Sequence, residues 1–136
     1  MPDHPEVQKA ACERDSAGTV QSISPSGAAV VLHMAEAVER MGDKEIYLEI
    51  ARYFATNLPQ SMERIQASLK NGEYAEASRF AHSLKGNCAT VGAEELREQC
   101  LTLEKLARSG DIIAAQDYFD SLAPRLLCLR DLLLSL

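Results

Sequence analysis

The stretch Ala81-His82-Ser83-Leu84-Lys85-Gly86 puts an imidazole, an ammonium group and a glycine within little more than one helical turn. Imidazole has an ordinary pKa of ~6.5, so near neutral pH it is largely deprotonated and nucleophilic. An exposed ring nitrogen of this kind can attack phosphorus. Catalysis of phosphoryl transfer is mainly positioning plus stabilisation of charge on the equatorial oxygens. Lys85, at i+3 from His82, is placed to neutralise such charge, and Arg79, at i−3, can assist or steer docking.

The element that must hold this histidine is a helix from Glu73 to about Thr90. Tyr74, Ala77, Ala81, Leu84 and Cys88 recur there at steps of three and four, which predicts one buried stripe. At ~100° per residue, His82 falls roughly 120° from the centre of that stripe, on the boundary or solvent side. Its helix-surface neighbours are Ala75, Ser78, Arg79, Lys85, Gly86 and Ala89. Four of these are small and two are cations, which suits an apron for a partner protein; Ser83 lies beside it. A glycine inside a helix costs about 1 kcal/mol relative to alanine, and close approach by another backbone would account for Gly86. A lone surface histidine is usually just solvated, but that reading leaves the glycine, the apron and the cations unexplained.

The rest of the chain predicts a helical scaffold. Its 136 residues suit one domain, and 46% hydrophobic with only 5% aromatic residues favours a helical bundle over a β architecture. Only Gly27 to Leu32 and Ile112 to Ala115 have strand-like composition, and each runs on into a helical pattern. A first helix is expected from Ala28 to Met41, striped by Val31, Met34, Val38 and Met41 and stopped at Gly42; His33 beside it reads as a surface residue. Asp43 suits the N-cap of a second, Lys44 to Leu58, carrying Ile46, Ile50, Tyr53, Phe54 and Asn57. Pro59 begins or kinks the next, with Met62, Ile65 and Leu69 buried before Gly72. After the reactive helix, a fifth buries Ala93, Leu96, Cys100, Leu103 and Ala107. Asp111 caps a last helix that buries Ala115, Phe119, Leu122, Leu126, Leu129, Leu133 and Leu136, with Pro124 on its opposite face. Short connections make neighbours antiparallel. The expected fold is therefore all-α: an antiparallel up-down four-helix bundle with one or two additional N-terminal helices, over residues 26–136. Residues 1–25, rich in Pro, Ser, Gly and charge, read as a flexible tail or linker, and His4 as an ordinary tail residue.

Charge and cysteines narrow the setting. A net charge of −6 argues against a nucleic-acid partner. The apolar runs fall far short of ~20 residues, so no membrane span is expected, and the N-terminus lacks the basic-then-apolar order of a signal peptide. Cys12, Cys88, Cys100 and Cys128 form no C-x-x-C pair, and the last three lie on apolar helix faces. Buried reduced thiols in a cytoplasmic protein are the expectation.

The central motif, continuing Asn87-Cys88-Ala89-Thr90-Val91-Gly92-Ala93, resembles the signature of the histidine-containing phosphotransfer (HPt) domain of bacterial and plant phosphorelays. The resemblance extends over about residues 27–136. It includes Met41-Gly42-Asp43-Lys44-Glu45-Ile46-Tyr47 with Phe54, then Leu96, Cys100, Leu103-Glu104, and Ala107-Arg108-Ser109-Gly110-Asp111. It implies that His82 carries a phosphoryl group between aspartates of response-regulator receiver domains, with Lys85 and Gly86 in supporting roles. The partners implied are a receiver domain and a sensor or hybrid histidine kinase. No intrinsic cofactor is implied, the Mg²⁺ site belonging to the receiver, and a monomer is expected. Glu104 is either a solvated helix charge or a group that holds His82 from behind. With no glycine-rich nucleotide loop, the chain is not expected to phosphorylate itself from ATP. The rival reading is a bundle that binds or sequesters a receiver-type partner through the same face without phosphoryl chemistry.

Overall fold

The computed structural model describes residues 11–14, 18–23 and 28–136. The chain runs β1 (Ala11–Arg14), β2 (Thr19–Ile23), β3 (Ala29–His33), α1 (Met34–Met41), α2 (Lys44–Lys70), α3 (Tyr74–Val91), α4 (Glu94–Arg108) and α5 (Ile112–Leu134). Helices α2 to α5 form the expected up-down four-helix bundle: each packs on its neighbours in sequence, and α5 returns to α2 to close the ring.

Local chemistry starts and stops these helices where the sequence indicates. The Asp43 carboxylate accepts hydrogen bonds from the Glu45 and Ile46 amides at 2.8 and 3.2 Å, and Asp111 accepts from the Ala114 amide at 3.2 Å. Gly92 ends α3 in the left-handed region, φ +91°, while the Ala93 amide reaches back to the Cys88 carbonyl at 2.9 Å. The predicted core of α4 and the predicted stripe of α5 as far as Leu133 are buried, and Leu136 is partly so.

Four expectations need correction. Residues 29–33, expected in the first helix, are strand β3, and α1 begins only at Met34. Within residues 1–25, expected as a flexible tail, β1 and β2 join β3 in an antiparallel sheet of order β1-β2-β3. Val20, Ser22, Val30 and Leu32 alternate inward, giving the chain a buried face that only strand pairing satisfies. Ser22 sits in that face because Cys128 Sγ of α5 donates to its hydroxyl at 3.6 Å. The sheet is tied down twice more, by the His33 amide to the Gly92 carbonyl at 2.9 Å and the Ala35 amide to the Gly18 carbonyl at 3.1 Å. His4 lies outside the described residues.

The third correction concerns α2, which is one helix of 27 residues with Pro59 inside it. Its N-terminal half buries Tyr47, Ala51, Phe54, Ala55 and Leu58, whereas Ile46, Ile50 and Tyr53 are exposed. Phe54 of the expected stripe is buried, but Ile46, Ile50 and Tyr53 are not, and the buried row runs one residue later through Tyr47 and Ala51. Tyr47 is drawn inward because its hydroxyl donates to the Val91 carbonyl at 2.8 Å. Burial pushes that phenol up to about 12, against the opposing pull of the Arg40 charge. Tyr74 of α3 is also half exposed rather than buried.

Candidate functional site

α3 presents His82 on the edge that faces α4. Ala81 and Leu84 on either side of it are buried, which fixes the rotation of the helix and leaves the His82 side chain 64% exposed. Directly across, Glu104 of α4 is only 4% exposed at its side chain. Its Oε2 lies 3.0 Å from His82 Nδ1. The two residues are 22 apart in sequence and meet because the α3–α4 turn at Gly92 folds the helices antiparallel.

Glu104 also gathers two cations, Lys85 and Arg108. Lys85 Nζ, one turn from His82, stands 2.9 Å from Oε1 as an ion pair without hydrogen-bond alignment. Arg108, one turn further along α4, brings Nη2 to 2.6 Å from Oε2. Burial alone raises the Glu104 carboxyl, but the Lys85 ammonium and the His82 ring outweigh it and hold the group below the ordinary glutamate range. Glu104 is therefore an anion at neutral pH, and an anionic acceptor at Nδ1 selects the tautomer with its proton there. The lone pair then resides on Nε2, at the far edge of an exposed ring.

The surroundings match the expected apron in part. Ala75, Ser83 and Gly86 are exposed, and Ala89 is half-buried. A Cβ built on Gly86 meets nothing within 4 Å, so the space above it is open. Ser78, expected on the same apron, is instead buried, on the edge of α3 that His82 and Lys85 turn toward α4. Arg79 is exposed but engaged, paired with Glu76 on its own helix and lying over the Phe80 ring at 5.8 Å. The far end of α3 is braced from outside: Arg40 of α1 donates to the Ala89 carbonyl at 3.0 Å, beside the Tyr47 bond to Val91. Arg108 was not singled out by the sequence reading; its signal was the Glu104–Arg108 spacing of i,i+4, the favourable order for a helix ion pair.

Cys88, Cys100 and Cys128 are free and buried. The Cys100 side chain and then burial push the Cys88 thiol up, which keeps it protonated and unreactive. Among the described residues, no group of three His, Cys, Asp or Glu side chains could hold a metal ion, and no helix is long and apolar enough to cross a membrane.

The sequence profile of the Hpt domain matches residues 49–136. Among solved structures, the chain is similar to histidine-containing phosphotransfer protein B (HptB) from Pseudomonas aeruginosa PAO1. The TM-score is 0.67 with 24% identity, over 75% of this chain and 87% of that one. Among curated proteins no match was found.

Proposed function

The chain belongs to the Hpt domain family, and on that premise we propose that His82 is its phosphoacceptor, passing a phosphoryl group between aspartates of receiver domains in a phosphorelay. The observation that carries the reading is the engagement of Nδ1 by a buried, ionised Glu104 while the opposite edge of the ring stays open.

In the forward step, the Nε2 lone pair attacks the phosphorus of an aspartyl phosphate. The Nε2–P bond forms, the acyl O–P bond breaks, and the receiver's carboxylate leaves with the electron pair. The ring becomes cationic as it is phosphorylated. Glu104, already hydrogen-bonded to the Nδ1 proton, stabilises that charge without rearranging, which lowers the reorganisation the step requires. Lys85 adds positive charge beside the transferring group, and its contact with Glu104 limits the geometries it samples. Return to a second aspartate is the same path reversed. Mg²⁺ chemistry at the aspartate belongs to the receiver domain.

Gly86 serves clearance in this reading, since the empty space above it lets a receiver's backbone approach beside His82. Ala75, Ser83 and Ala89, with the exposed part of Arg79, complete the docking surface, and a sensor or hybrid histidine kinase supplies the relay upstream. The protein acts as a monomer in the cytoplasm. The test is transfer from a panel of receiver domains carrying labelled aspartyl phosphate. Label should move to this chain from at least one receiver and be absent with His82→Gln; binding without transfer from any receiver would favour a sequestering module instead.

A further inference from the structure

Arg108 and His82 share one acceptor atom. Arg108 Nη2 lies 2.6 Å from Glu104 Oε2, and His82 Nδ1 lies 3.0 Å from the same oxygen. The guanidinium and the ring can therefore be no farther apart than those two contacts laid end to end. Lys85 takes the other oxygen, Oε1, at 2.9 Å. Because α3 and α4 are antiparallel, a step from His82 toward the C-terminus of α3 and a step from Glu104 toward the C-terminus of α4 go opposite ways. Lys85 and Arg108 thus bracket His82 along the bundle axis.

The two cations differ in freedom. The Lys85 side chain is 22% exposed and that of Arg108 is 65% exposed. Arginine carries five N–H donors in a planar fork matched to phosphoryl oxygens, and a single contact to Glu104 leaves most of them unused. Beside the His82 ring, the Glu104 carboxylate faces two cations, the Lys85 ammonium and the Arg108 guanidinium. If Arg108 lets go, Glu104 still has Lys85 and the Nδ1 proton.

Resting on the reading of His82 as phosphoacceptor, we propose that Arg108 is a phosphoryl-binding residue, whose guanidinium turns from Glu104 Oε2 to the phosphoryl oxygens on Nε2 while Lys85 remains on Oε1.

The test uses potassium phosphoramidate as phosphoryl donor, which needs no partner protein and so separates this role from docking. The Nε2–P bond forms, the P–N bond of the donor breaks, and ammonia leaves with its own protons. Initial rates of His82 phosphorylation are compared for the wild type, Arg108→Gln and Arg108→Lys, with the ¹⁵N shifts of the His82 ring recorded for each. Loss of an exposed cation should cost about tenfold, less than a shielded oxyanion donor. Arg108→Gln should show that loss, Arg108→Lys should recover part of it, and all three proteins should keep the Nδ1–H tautomer. A wild-type rate in Arg108→Gln overturns the proposal. So does slowing accompanied by loss of that tautomer, since Arg108 would then act only by holding Glu104. A wild type left unlabelled at His82 by both phosphoramidate and phosphorylated receivers would overturn the phosphoacceptor reading itself, and this proposal with it.

Discussion

Glu104 Oε2 meets His82 Nδ1 at 3.0 Å from a position almost wholly removed from solvent, while the imidazole it holds is mostly exposed. A buried anion behind an open ring fixes which nitrogen is nucleophilic, and the tests below follow from that pairing and from the scaffold that makes it.

His82→Gln should leave the bundle intact. The exposed ring contributes little to the core, so the stability change should stay within ~0.5 kcal/mol and the melting temperature should move by only about a degree or two. Thermal unfolding of the variant checks this; a drop of many degrees would mean the His82–Glu104 contact is a principal support of the α3–α4 packing.

Glu104 gives stability a defined pH dependence. Its folded-state pKa is lowered, so its contribution is fully present above the ordinary glutamate value of ~4.3 and is lost as pH falls through the depressed folded value. Melting temperature followed from pH 7 down to 3 should fall less steeply in Glu104→Gln than in the wild type. At pH 7 the substitution should cost below ~3 kcal/mol, because Lys85 and Arg108 can both turn to water. Parallel curves would show that Glu104 is not the group responsible.

Tyr47 predicts a loss at the opposite end of the scale. A phenol raised to about 12 keeps its proton in the folded state, so stability should fall as pH rises above ~10 and continue to fall until the folded group titrates. Tyr47→Phe leaves the Val91 carbonyl without this donor and should cost about 1–2 kcal/mol at neutral pH. Denaturant unfolding at pH 7 and pH 11 measures both effects.

Two glycines of α3 and its cap predict opposite signs for the same substitution. Gly86 is helical with open space where a Cβ would stand, so Gly86→Ala should stabilise by roughly 0.4–1 kcal/mol. Gly92 has φ +91°, and a Cβ there would meet the His33 carbonyl oxygen at 2.6 Å, so Gly92→Ala should destabilise by more than ~1 kcal/mol. Gly86→Gln should fold as well as the wild type yet bind and exchange with its receiver poorly, since the side chain projects about 40° round the helix from His82's direction. Wild-type exchange by Gly86→Gln would place the docking surface elsewhere.

Much of this architecture was legible in the residues, for reasons that also explain what was not. In α4 and α5 one row of apolar residues recurs without a gap at steps of three and four, so Leu96, Cys100 and Leu103, or Phe119, Leu122 and Leu126, mark the buried face even though Ile113, Leu127 and Leu134 of α5 are exposed. In the first half of α2 two adjacent rows have the same spacing. Ile46, Ile50 and Tyr53 outweigh Tyr47, Ala51 and Phe54 in hydrophobicity, yet the second row is buried, because a tertiary hydrogen bond from Tyr47 and the small Ala51 suit the contact with neighbouring helices. The sheet was hidden by Ser22, a polar residue at an inward position, and by the unbroken apolar run Ala28 to Leu32, whose periodicity does not separate strand from helix. At the site, the helical wheel was enough to put His82 at the boundary of α3. Its partner on α4 was one of two open readings for Glu104, since pairing across helices depends on the α3–α4 register, and Arg108 became visible only once Glu104 was placed.

The central claim is that phosphate rides on Nε2 of His82. After transfer from a phosphorylated receiver, ³¹P and ¹⁵N NMR of the ring-labelled protein measures it directly. One phosphohistidine, at His82, with ³¹P coupled to Nε2 and the proton retained on Nδ1, is the expected spectrum. A phosphoryl group on Nδ1, on His33 or His4, or on no histidine at all would contradict the account.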